Sequence, residues 1–143
     1  MAIFGAPLEN NQHAACAIEC ALEMMVAHAR LLKRWSHRGI SPLAGIGIAT
    51  GEAIVGEMGC KLRTDYTCMG RPINLGSRLC DLAKPSGIRI SQATLDAANK
   101  THKFEAIEHS GIVVKGLTDK ISIFEVVGEE CGVSCVKLEK EEE

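Results

Sequence analysis

An α+β domain, with helices packed on one side of a largely antiparallel sheet, is predicted by three features of the sequence. Apolar residues recur at helical spacing across residues 11–37, short β-prone runs follow one another between Leu43 and Val127, and strands do not alternate strictly with helices. A hydrophobic share of 46% argues against disorder, and 143 residues suffice for one domain with a sizeable core.

Met1 to Phe4 is a short apolar run stopped by Gly5 and Pro7, which suits the end of a strand. From Asn11 to about His37, the residues Ile18, Leu22, Met25, Ala29 and Leu32 step by four and three, so they share one face of a helix. Asn10 or Asn11 can cap its start, and Gly39 ends it. Leu43 to Thr50 and Glu52 to Glu57 read as strands joined at Gly51. The glycines within them, Gly45, Gly47 and Gly56, mark either the close approach of another backbone or a ligand, or a bulged hairpin. Cys60 to Asp65 reads as a polar loop.

Pro72 suits the first turn of a helix, where its missing N–H has no partner to lose. That helix runs through Leu75, Leu79 and Leu82 until Lys84-Pro-Ser-Gly87 stops it. Ile88 to Ser91 reads as a strand, and Ser91 can cap a short helix through Ala98. Lys103–Glu108, Gly111–Lys115 and Ile121–Val127 then read as strands. Residues 1–127 form the expected domain, and residues 128–143 an acidic tail ending in Glu139-Lys-Glu-Glu-Glu143, expected to be solvated and frayed.

Composition narrows the partners. A net charge of −2 carries no basic footprint, and one Trp, one Tyr and three Phe leave few stacking platforms, so nucleic acid is not an expected partner. No signal peptide is visible at the start, and no apolar stretch approaches the ~20 residues that span a bilayer. Seven cysteines, an odd number without a framework spacing, read as reduced thiols, which points to the cytoplasm. Cys16 with Cys20, and Cys131 with Cys135, are spaced i,i+4 but lack the further ligands of a zinc site, so no structural metal is expected.

The chemistry-bearing segment is Arg63-Thr-Asp-Tyr-Thr-Cys-Met-Gly-Arg-Pro-Ile-Asn-Leu-Gly-Ser-Arg78. With Pro72 in the first turn, Asn74 and Arg78 fall at i and i+4 on one helical face. A guanidinium offers a rigid fork of donors to phosphate oxygens, and an amide both donates and accepts. Surface helices carry such pairs by chance as well, so the spacing alone does not decide between an anion grip and an ordinary solvated face.

The surrounding words do more. Met1-Ala-Ile-Phe-Gly-Ala-Pro7, Gly45-Ile-Gly-Ile-Ala-Thr-Gly51, Gly56-Glu-Met-Gly59, Tyr66-Thr-Cys-Met-Gly70, Ile73-Asn-Leu-Gly-Ser-Arg-Leu79 and Val114-Lys-Gly116 resemble, in order and spacing, the later part of class III nucleotide cyclase catalytic domains. The resemblance runs from Met1 to about Val127. It implies a ferredoxin-like nucleotide cyclase fold, N-terminally truncated here. The family's first strand sits centrally in its sheet, so its absence would favour dimerisation, strand exchange or poor solubility.

What the resemblance implies for chemistry is a composite site. Class III cyclases convert a nucleoside triphosphate to a 3′,5′-cyclic monophosphate and pyrophosphate in head-to-tail dimers. One subunit holds two divalent ions, Mg or Mn, on a pair of aspartates, and its partner supplies transition-state residues. The metal aspartates match positions before Met1. Asp65, Asp81, Asp96 and Asp119 match no metal position, so no metal ligand is assigned in this sequence.

By the same resemblance Asn74 orients the ribose and Arg78 stabilises charge on the α-phosphate, while Lys115 matches the phosphate-binding lysine. Thr67 and the carbonyl of Cys68 match base-contacting positions, which favours ATP over GTP, although a hydroxyl discriminates weakly because it both donates and accepts. The expected partners are ATP and either a second copy or another cyclase subunit. A catalytically silent, nucleotide-binding regulatory module stays open as the alternative. Two departures stand out: Arg71 replaces a usual Asp or Asn, and Gly76 replaces a usual Ala.

Overall fold

The computed structural model describes residues 1–60, 62–83, 86–113 and 120–127. Helix α1 spans His13–Trp35, followed by strands β1 (Ala44–Ile48), β2 (Ile54–Cys60) and β3 (Arg63–Met69). Helix α2 (Arg71–Leu82), strand β4 (Ser86–Ser91), helix α3 (Gln92–Ala98), and strands β5 (Ala106–Val113) and β6 (Lys120–Val126) complete the order. The main sheet is four-stranded in the order β1-β4-β6-β5, and β2 and β3 form a separate hairpin. An α+β fold is therefore observed. The β4–β6 and β5–β6 pairs are antiparallel, and β1 runs parallel to β4.

α1 forms because small and apolar residues recur on one face: Ala14, Ile18, Ala21 and Met25 are all buried. They pack with Ile88 and Ile90 of β4, Phe124 and Val126 of β6, and Ala98 of α3, with Ile46 and Ile48 of β1 at the margin. The predicted stripe thus lies on the core face, although Ala29 and Leu32 near the C-terminal end are only half-buried. No side chain caps the helix directly. Instead Asn10 Oδ1 accepts from the Gln12 amide at 2.8 Å, ordering the turn just before it. At the far end a short 3-10 turn leads to Gly39 in the left-handed region, φ 68°.

Strand alternation decides where α2 lies. Ile46 and Ile48 face α1, so Gly45 and Gly47 face the other way, and it is there that α2 packs. The helices thus cover both faces of the sheet, correcting the expectation of a single covered side. Sequence periodicity reveals that a helix has a buried face but not which side of a sheet receives it. Leu79 of α2 is fully buried in this second layer, as is Ile123 of β6.

The short helix α3 starts as its sequence suggests. Ser91 Oγ accepts from the Thr94 amide at 3.3 Å, and Thr94 Oγ1 donates to the Ile48 carbonyl at 3.3 Å, so a buried cap also ties α3 to β1.

Four strand expectations change. The segments around Gly51 do not pair with each other: β1 pairs with β4, and β2 pairs with β3 from Ile54↔Met69 to Cys60↔Arg63. Residues 63–65, expected within a loop, begin β3, and their polarity reflects an exposed ribbon rather than the lack of a ladder. Lys103–Glu108 and Gly111–Lys115 were expected as separate strands. Residues 106–113 instead form one strand with a bulge between His109 and Ile112, around Gly111 at φ 75°. Residues 1–4 form no strand, and Met1 Sδ lies 3.9 Å from Cys68 Sγ. Part of the expected Gly111–Lys115 strand and the acidic tail lie outside the described residues.

Gly76 sits inside α2, where a Cβ would meet Ala49 Cβ at 3.8 Å, an ordinary contact. Gly76→Ala is expected to raise stability by about 0.5–1 kcal/mol, since alanine restricts the unfolded chain and fits the helix. An unchanged or lower urea midpoint would contradict this.

Candidate functional site

The site is built where β3 runs into α2. Thr67 is half-buried and Cys68 buried near the end of β3, followed by Gly70 immediately before the helix. A Cβ on Gly70 would stand 3.2 Å from the Glu52 carbonyl oxygen, so the turn lies close against the segment leading into β2. Pro72 occupies the first turn of α2, as the sequence suggests. Across the hairpin Thr67 pairs with Gly56. Residues directly opposite in an antiparallel pair share a face, and a Cβ on Gly56 would meet nothing within 4 Å. The flank of Thr67 is therefore open, because of a missing side chain rather than the crowding suggested by the glycine at 56.

Asn74 and Arg78 both lie exposed on α2, one turn apart, on the side away from the sheet. Among the described residues no hydrogen bond or ion pair engages either side chain. A guanidinium and an amide presented together in this way can accept a phosphorylated ligand without first breaking an internal bond. Thr67, Cys68, Asn74 and Arg78 are thus carried by one continuous strand–turn–helix. Lys115 lies outside the described residues.

Among the described residues, no group of three or more His, Cys, Asp or Glu side chains converges to hold a metal ion. Asp65 is engaged by Arg63, whose Nε donates to its Oδ2 at 3.1 Å, and Asp96 accepts from Gln92 Nε2 at 2.8 Å. These carboxylates do not fit a two-ion centre.

Sequence reading missed one polar cluster on the α2 side of the sheet. Arg89 of β4 pairs with Glu125 of β6 at 2.5 Å, and His109 Nε2 of β5 lies 3.2 Å from the same carboxylate oxygen. No local signal reveals it, because the three residues meet only through strand pairing.

The Cys60 thiol, at the end of β2, is held below its usual pKa by backbone hydrogen bonds from Leu62 and then Arg63. A lowered pKa raises the thiolate fraction at neutral pH, and reactivity with it. Brief iodoacetamide treatment at neutral pH is expected to alkylate Cys60 before the other four described cysteines, of which Cys68 is buried. Peptide mapping that found Cys16, Cys20 or Cys80 modified first would contradict this.

The sheet is thus covered on both faces, and the β2–β3 hairpin leads into a helix that presents an exposed amide and guanidinium one turn apart. Comparison with known proteins is specific: residues 1–128 match the adenylate and guanylate cyclase catalytic domain, and the chain belongs to that family. It is 37% identical over 107 residues to an uncharacterized protein of Mycobacterium tuberculosis, covering 72% of this chain and 18% of the relative. The adenylyl cyclase CyaB from P. aeruginosa superposes with a TM-score of 0.79 at 32% identity, over 87% of this chain and 65% of that one. The guanylyl cyclase Cya2 gives 0.77 at 34% identity, over 89% and 65%. The chain thus spans under a fifth of the curated relatives' length and about two thirds of the solved cyclases.

Catalytic domains of this family make cyclic nucleotides as lyases, work as dimers and use Mg or Mn. Both adenylyl and guanylyl cyclases stand among the similar structures. Among the described residues no helix is long and apolar enough to cross a membrane.

Proposed function

We propose that this chain supplies the transition-state and base-contacting half of a dimer-interface adenylate cyclase site, which forms 3′,5′-cyclic AMP and pyrophosphate from ATP. The observation that carries the reading is the Asn74–Arg78 pair, exposed on one face of α2 and engaged by no described side chain. Thr67 and the Cys68 carbonyl contact the adenine, Asn74 orients the ribose, and Lys115 binds phosphate. Arg78 donates to the α-phosphate as the 3′-oxygen attacks in line and the bond to pyrophosphate breaks. Carboxylates outside the described residues, on a longer chain or a partner subunit, hold the two ions. Reduced cysteines support a cytoplasmic location, and a second copy or another cyclase subunit completes the site.

The preference for ATP rests on Thr67, whose hydroxyl can accept from the adenine amino group. The test mixes the protein with a cyclase subunit that is metal-competent but lacks its own transition-state arginine. Cyclic AMP formed from ATP, in excess of cyclic GMP from GTP, is the expected result. Preferential use of GTP would remove the base assignment. Nucleotide binding without turnover would favour a silent regulatory module, a reading supported by the lack of a fitting carboxylate set among the described residues.

A further inference from the structure

We infer that Gly47 is a positioning residue for the Asn74–Arg78 pair, acting through the backbone of α2. The inference rests on the reading of that pair as nucleotide-contacting. β1 and α2 meet backbone to backbone. A Cβ on Gly47 would overlap the Cys80 amide nitrogen and the Gly76 carbonyl oxygen, and would lie 2.7 Å from the Leu79 carbonyl carbon. These atoms belong to the hydrogen-bonded backbone of the helix, so they cannot swing aside as the end of a side chain can. Cys80 reinforces the same contact, its Sγ donating to the Gly45 carbonyl at 3.2 Å. Nearer the helix start, a Cβ on Gly51 would stand 3.1 Å from the Pro72 ring, so a second glycine lets the first turn approach.

Helix geometry converts this contact into placement of the pair. At about 3.6 residues per turn, Asn74 and Arg78 lie on the far side of α2 from Gly76, Leu79 and Cys80. Lifting the helix from β1 therefore carries both side chains outward together. Carbon atoms settle at roughly 3.5 Å or more, so a methyl group at position 47 forces α2 about 1 Å away from the strand. A displacement of that size, made far from the reacting atoms, is able to cost about 10²-fold in rate. Gly76 lies at the same interface without this role, since its own Cβ position is open to 3.8 Å.

The test uses the full chain in the same mixture with a metal-competent, arginine-deficient subunit. Gly47→Ala is expected to lower kcat about 10²-fold while KM for ATP moves by less than about threefold. Gly76→Ala is expected to keep the parent kcat. A crystal structure of the Gly47→Ala protein reads the geometry without reference to turnover: α2 raised by about 1 Å from β1 supports the inference, and α2 in its original place overturns it. A folded Gly47→Ala protein with parental kcat also overturns it. Should Arg78→Ala prove fully active, the nucleotide reading fails, whereas the displacement of α2 still reports on Gly47 itself. If Gly47→Ala does not fold, Cys80 decides: a several-fold loss of kcat in Cys80→Ala, restored by the hydroxyl donor of Cys80→Ser, supports the inference, and equal kcat in both overturns it.

Discussion

Arg78→Ala is expected to reduce cyclic AMP formation in the reconstituted mixture by at least about 10²-fold, the usual cost of removing one preorganised donor from a developing negative charge. The loss should fall on kcat, because the guanidinium contributes most when charge builds on the α-phosphate rather than when ATP first binds. Arg78→Lys should recover little, since a point charge on a flexible stem cannot reproduce the planar fork. Arg78 is exposed and joined to no described side chain, so its removal should leave the fold intact. Unchanged thermal unfolding beside lost turnover is the expected signature. Full activity in Arg78→Ala would take the residue out of the mechanism.

Leu79→Ala should have the largest effect on stability. The side chain is fully buried between α2 and the sheet, next to the close contact with β1. Truncation removes apolar burial and leaves a cavity that a backbone-to-backbone interface cannot easily close. A loss of about 2–5 kcal/mol is expected. In a domain of this size that corresponds to a fall of roughly 10 °C in the unfolding midpoint. A shift below about 3 °C would show that α2 collapses onto the sheet without Leu79, and would weaken the picture of a rigidly placed helix.

Much of the fold was legible because several signals are local. The periodicity of Ile18, Leu22 and Met25 announces α1, Pro72 marks the first turn of α2, and Ser91 caps α3 by the bond its position suggests. Local signals fall short where the partners are distant in sequence. Polar residues 63–65 resemble a loop until β2 is known to lie alongside them, and residues 106–113 resemble two strands until the bulge joins them. The glycines were ambiguous for the same reason. Gly47 is crowded by α2 and Gly56 by nothing, although both stand within β-prone runs.

The amino-acid sequence specifies the family through its ordered motifs, and the i,i+4 spacing of Asn74 and Arg78 through the fixed geometry of a helix. It also marked Thr67 and Cys68 as neighbours of that pair along the chain. Long-range packing and strand pairing set α2 on the face opposite α1, place Thr67 across from an open Gly56, and bring Arg89, Glu125 and His109 together. The two differ in range. Capping, turn chemistry and helical period act within a few residues, whereas the height of α2 above β1 is set by the missing Cβ of Gly47, about thirty residues before the groups it positions.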